Sequence, residues 1–199
     1  TMIPAPDPNH LLKKTRNQML NCVNRVLWIG DYTVNLVHPR IVYLEHRTEC
    51  GLGATVVNPS DKQSVPCAIK LLQLDKKWLL DLDSSRRGFE THATRAYLLH
   101  GSLVHDAFFK PDIGDFERVR CIWQTVFFFE GWRDNLAHGH TALPVDMRPG
   151  PTNFISSELY RDTMLAAVGL TMTVFVHNVF LPGVPLDTSL LGSDGCEHY

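Results

Sequence analysis

Apolar and polar positions follow two different rhythms along this chain. From Asp31 the period is two: Tyr32, Val34 and Leu36 alternate with Thr33, Asn35 and Val37, which predicts a strand. Pro39 interrupts this run, and residues 41–44 resume it. Gly51 and Gly53 mark a bend before a short apolar segment at 54–57, and Asn58-Pro59-Ser60-Asp61 is a turn signal. Residues 65–74 and 77–82 then read as two more strands joined near Asp75-Lys76.

After the polar break at 84–88 the period becomes helical. A helix over about 92–110 has Ala96, Leu99, Leu103, Ala107 and Phe108 as apolar positions, and Pro111 and Gly114 stop it. Asp115 can cap the next helix, whose apolar face is Phe116, Val119, Trp123, Val126 and Phe127. Residues 133–155 read as a loop carrying His138-Gly139-His140. A last helix starts near Ser156-Ser157-Glu158 and ends at Leu181-Pro182-Gly183, with no charged residue from Thr163 to Leu186. Such a segment suits either a buried central helix or a membrane span over 163–181.

Ahead of both halves, Pro4, Pro6 and Pro8 make residues 1–9 an extended arm. Asn9 can cap a helix over about 10–25, with Leu12, Met19, Leu20 and Val23 on one side and Lys13, Lys14, Arg16 and Arg25 over much of the rest. The expected fold is therefore α+β: a small antiparallel sheet of about four to five strands followed by three helices, with an N-terminal arm and helix. The expected organisation is arm and basic helix at 1–30, one α+β domain at 31–183 and a polar tail at 184–199.

Composition narrows the class. Hydrophobic residues are 44% and charged residues 20%, a globular balance. A formal charge of −2 and a pI near 6.5 give no basic excess, so nucleic acid is not an expected partner. Of Cys22, Cys50, Cys67, Cys121 and Cys196, no pair has CxxC spacing. Cys50 and Cys67 flank a turn-rich segment and could meet as a disulfide; otherwise the cysteines are buried thiols.

The candidate chemistry lies in the helix at 92–110, where His105 and Asp106 are adjacent. Such a pair can ligate a divalent metal, or the aspartate can orient the histidine as a general base. His100 is about 140° round the helix from His105, and His92 is almost four turns away, so neither shares one ion with the pair easily. His138 and His140 could complete the set, giving His105, Asp106, His138 and His140 as candidate metal ligands and His105 and Asp106 as candidate catalytic residues. The structural alternative is a polar anchor for the helix. No nucleophile elbow or phosphate-binding glycine loop is present, and no cofactor other than a divalent metal is implied.

The segment Gly101-Ser102-Leu103-Val104-His105-Asp106-Ala107-Phe108-Phe109 resembles the "ASLVHDALY" signature of a phage- and bacteria-associated domain of unknown function. The resemblance implies a β-rich half before the signature and an apolar helix at the end, and carries over only His105 and Asp106. In place of that family's "DGAS-P" segment, this chain has Asp81-Leu82-Asp83-Ser84-Ser85. The Pro-rich arm, the surplus aromatics and the incomplete catalytic set lead to the expectation of a non-catalytic structural or interaction subunit, with other protein subunits as partners. A metal-dependent hydrolase and a membrane-associated subunit are the competing expectations.

Overall fold

The computed structural model describes residues 6–21, 25–85, 90–139 and 149–191. Asp7 caps the first helix, α1 (Pro8–Leu20), accepting from the Asn9 amide at 2.8 Å. Asn9, the expected cap, lies inside the helix, because Pro8 suits the first helical position, where no N–H is needed. The described sheet has two strands. β1 (Trp28–Ile29) pairs antiparallel with β2 (Tyr32–Thr33) across a turn in which Gly30 takes φ +59.

The expected sheet of four to five strands is not there; the region is helical. It forms α2 (Val37–Glu45), α3 (Ala54–Val57), α4 (Val65–Leu72) and α5 (Lys76–Ser85). The sequence-level β-rich half implied by the family resemblance is absent with it. Four- to eight-residue apolar runs do not distinguish a strand from a buried helix, and local start signals decide here. Pro39 sits in the first turn of α2, where the missing N–H costs nothing. Ser64 caps α4, accepting from the Cys67 amide at 3.3 Å, and Pro66 again occupies the first turn. Asp75, read as a strand-to-strand turn, accepts from the Lys77 amide at 3.0 Å at the start of α5. Ala68, Leu71 and Leu72 then share one buried face of α4.

The three later segments are helical: α6 (His92–Phe109), α7 (Asp115–His138) and α8 (Ser157–Phe180). The expected apolar faces of α6 and α7 are not the buried ones. Leu99, Phe116 and Phe127 are exposed, because the neighbouring helices cover the faces carrying Tyr97 and Leu98, and Ile122 and Phe129, instead. Asp115 is the first residue of α7, with Gly114 as its cap. The α7 helix continues through residues expected as loop, to His138. Buried positions on α6 are Ala93, Thr94, Tyr97, Leu98, Gly101, Val104, Ala107 and Phe108, too many for one neighbour. The helix accordingly packs against α1, α4, α5, α7, β2 and a 3₁₀ turn at Thr188–Leu191. At Gly101 a side chain would bring Cβ to 2.6 Å from Cδ2 of Leu72, itself fully buried. The Tyr97 hydroxyl donates to the Thr15 carbonyl of α1 at 2.6 Å, and the Thr188 hydroxyl donates to the Phe108 carbonyl at 2.6 Å.

One cation of the expected basic face is inside. Arg16 is 0% exposed and donates to the carbonyls of Ser64, at 2.9 Å, and Lys62. It thereby joins α1 to the loop before α4. Cys50 and Cys67 are free thiols, so the possible disulfide between them does not form. Residues 1–5 of the arm and 192–199 of the tail lie outside the described residues, with Cys22 and Cys196.

Arg16→Ala removes both bonds and empties the buried space of the side chain, leaving the Lys62 and Ser64 carbonyls with the Asn17 side-chain amide and the Ala68 amide. It is expected to lower the unfolding free energy by about 2–4 kcal/mol, read as a lower urea midpoint at unchanged slope. Gly101→Val should cost about 1–3 kcal/mol through overpacking against Leu72.

Candidate functional site

The three histidines of α6 go three separate ways. His92 is exposed and stacks on Tyr32 of the hairpin, ring centroids 5.0 Å apart. His100 lies flat on Phe128 of α7, centroids 3.8 Å apart and planes within 8°. Its Nδ1 is buried without a hydrogen-bond partner, and burial lowers its pKa from 6.5 to about 4. His105 faces α4 instead.

At His105 a single nitrogen, Nδ1, lies 3.2 Å from Asp106 Oδ1 and 2.8 Å from the Gln73 side-chain amide. The Gln73 Nε2 amide only donates and an ionised carboxylate only accepts, so Nδ1 can serve one of these two contacts at a time, according to its tautomer. The other carboxylate oxygen of Asp106 accepts from Lys110 at 3.2 Å, an i,i+4 pair. Around them is an open depression of about 430 Å³ lined also by Lys76, Ser102 and Pro111. Ser102 donates to the Leu99 carbonyl at 2.8 Å, so its proton is committed to the helix backbone rather than to His105. Lys76 is drawn 3.4 Å from the Ser102 hydroxyl, and burial lowers its pKa. The arrangement orients an imidazole but brings no hydroxyl or thiol to it.

The candidate metal set does not assemble among the described residues. Arg118 of α7 donates to the carbonyls of Ala107, at 3.3 Å, and Lys110, at 2.8 Å, which fixes the start of α7 beside the end of α6. His138 is twenty residues further along α7, about 30 Å away by helical rise. His140 lies outside the described residues. Glu130 is held by Arg133 and the Tyr160 hydroxyl. Among the described residues, no three His, Cys, Asp or Glu side chains have metal-holding geometry.

A different feature stands out on α8. Its first half is built into the bundle: Leu159, Thr163, Ala166, Ala167, Gly169 and Leu170 are buried, and Lys14 of α1 reaches both Glu158 and Asp162 at 2.7 Å. Its second half emerges. Met172, Phe175, Val176, Val179 and Phe180 are exposed, Phe175 at 64% and Phe180 at 74%. Phe116 of α7, 81% exposed, borders a groove of about 470 Å³ that also takes in Val119, Val174 and Phe175. The groove is held at one wall by Trp123, whose indole donates to Thr171 at 2.9 Å, and at its end by Asn178, which donates to Asp115 at 3.0 Å. The helix is thus neither a buried central element nor apolar surface on every side.

The uncharged stretch was legible in sequence; what was missed is its spacing. Leu165, Val168, Met172, Phe175 and Val179 follow one another at 3-4-3-4 intervals, and all five are exposed. That signal is a heptad seam. A second concavity, of about 430 Å³, lies between the end of α7 and the start of α8 and is lined by Leu136, Phe154, Ile155 and Tyr160 with Arg25 and Arg133. Both arginines are engaged, Arg25 with the Thr152 carbonyl at 2.9 Å and Arg133 with Tyr160 at 3.0 Å.

No family model matches this chain, and neither the curated proteins nor the solved structures provide a match.

His100 makes the fold acid-sensitive. Its folded pKa of about 4 lies below the ordinary 6.5, so the unfolded chain binds the proton first as pH falls. Its contribution is complete above pH 6.5 and is lost between 6.5 and 4, up to about 3 kcal/mol. Urea midpoints at pH 7.5 and 4.5 should differ less in His100→Phe, which keeps the stack and removes the titration. Manganese or nickel should leave the thermal midpoint unmoved; a rise abolished by His105→Ala would mean that residues outside those described complete a ligand set.

Proposed function

We propose that this chain is a non-catalytic interaction subunit that presents the second half of α8 to another protein. The observation that carries this reading is the exposed apolar surface of Met172, Phe175, Val179 and Phe180 together with Phe116. With side-chain surfaces of roughly 150–220 Å² each, these five together with Leu165, Val168 and Val176 expose about 800 Å². Monomers rarely expose contiguous patches beyond about 300–600 Å², and larger ones mark interaction sites. The His105 depression adds support: among the described residues, its imidazole is engaged by Gln73 and Asp106 and no metal-holding set forms there.

A membrane is the second reading. By length and composition α8 can cross one. Its first half, however, is held by Lys14, Glu158 and Asp162 and packed against α1 and α7, so before Leu170 it offers lipid one side alone, at Leu165 and Val168.

The test is the size of the particle in native extract. Tagged chain is expected to run well above 22.5 kDa, and Met172→Glu/Phe175→Glu to run as a monomer, while His105→Ala behaves as the unaltered chain. A monomeric unaltered chain in extract, without membrane association, would sink the reading.

A further inference from the structure

We infer that the occupant of this surface is a second copy of the chain, paired antiparallel through α8. The inference rests on the interaction-subunit reading and adds the partner and the geometry.

The first argument is periodicity. Leu165, Val168, Met172, Phe175 and Val179 alternate three and four residues apart, and the opposite face of α8, at Thr163, Ala166, Ala167 and Leu170, is already packed. An exposed 3-4 seam fits a helix with the same repeat, since each knob needs a hole made by four residues of the facing helix. The chain itself supplies such a helix.

The second argument is charge. No charged residue lies between Thr163 and Leu186, so a two-fold axis brings no like charges together. An isologous contact needs a patch complementary to itself, and an uncharged apolar seam meets that condition. A partner chosen by salt bridges would need charges flanking the seam, and α8 has none from Thr163 onward.

The third argument is area. The seam residues with Phe116, Val176 and Phe180 expose roughly 800 Å² of apolar surface, about the 800 Å² per partner of a standard interface. The groove beside Phe116 and Phe175 adds concave surface to the convex seam, so one patch carries both shapes.

Antiparallel pairing about the middle of the seam fixes the layers. Met172 meets Phe175 of the other copy, and Val168 meets its Val179, each twice by symmetry. This register makes a charge-swap test possible. The chain should sediment at twice 22.5 kDa at tens of micromolar. Val168→Lys and Val179→Glu, each alone, should raise the dissociation constant about 100-fold or more, because each buries a charge against an apolar partner. An equimolar mixture of the two should recover the dimer, since lysine then faces glutamate; recovery also shows that neither variant is misfolded.

A monomeric unaltered chain, or single variants that remain dimeric, would overturn the inference. So would failure of the mixture to recover while both variants keep their helical circular dichroism. These outcomes separate it from the reading it rests on. A chain that is large in extract and monomeric when pure has a different protein partner, whereas one that is monomeric when pure and floats with phosphatidylcholine vesicles has lipid there.

Discussion

The helix α6 is buried over more of its circumference than any one neighbour can cover, and the fold is the set of elements required to cover it. Tyr97 ties it to α1 by a 2.6 Å bond to the Thr15 carbonyl, and Gly101 lets Leu72 of α4 come close. Arg118 of α7 and Thr188 of the final turn satisfy carbonyls near its C-terminal end, which otherwise would have no intrahelical donor. Burying those carbonyls bare would cost about 1–3 kcal/mol each. Covering the helix and closing its end are therefore one requirement, met by groups far apart in sequence.

That requirement also sorts the polar residues of α6. His100 and His105 differ by five positions, so they leave the helix on different sides: one is pressed against Phe128, the other reaches Gln73. A histidine desolvated against an aromatic ring loses its proton readily, while one beside a carboxylate is held in a single orientation. Neither environment depends on chemistry with a substrate. Arg16 follows the same logic on α1, where two carbonyls compensate part of the cost of burying a guanidinium. The element left over is the far half of α8, which has the composition of a core helix and no core to enter. Sequence pattern and burial also part company at Leu99, Phe116 and Phe127, which were read as core positions and are exposed, but the far half of α8 is the longest such stretch.

Much of the second half of the fold could be read directly. The segments 92–110, 115 onward and 156–181 have caps, stops and a sustained period, and they are α6, α7 and α8. The first half was misread because its apolar runs are short and rich in valine, isoleucine and leucine. Pro39, Ser64-Val65-Pro66 and Asp75 carried the correct information as helix starts. They were outweighed by alternation over a few residues, a weaker signal than a cap followed by a buried i, i+3, i+4 face. At the site, the His105-Asp106 contact followed from adjacency, but His138 was placed by the length of α7, which runs past the residues read as a loop.

Taken by itself, the sequence determined what depends on neighbours within about one helical turn: caps, proline positions, the uncharged length of α8 and its 3-4 spacing. Which face of each helix meets protein and which meets solvent was decided only by the tertiary structure. Arg16 and Lys14 are two positions apart on one helix, yet one is buried under the loop before α4 and the other bridges Glu158 and Asp162 at its surface. The same holds for α8, whose apolar residues are chemically alike along its whole length. Burial is a property of the partners that come within reach, and on α8 beyond Leu170 they are reduced to the start of α7, which meets Thr171, Val174 and Asn178.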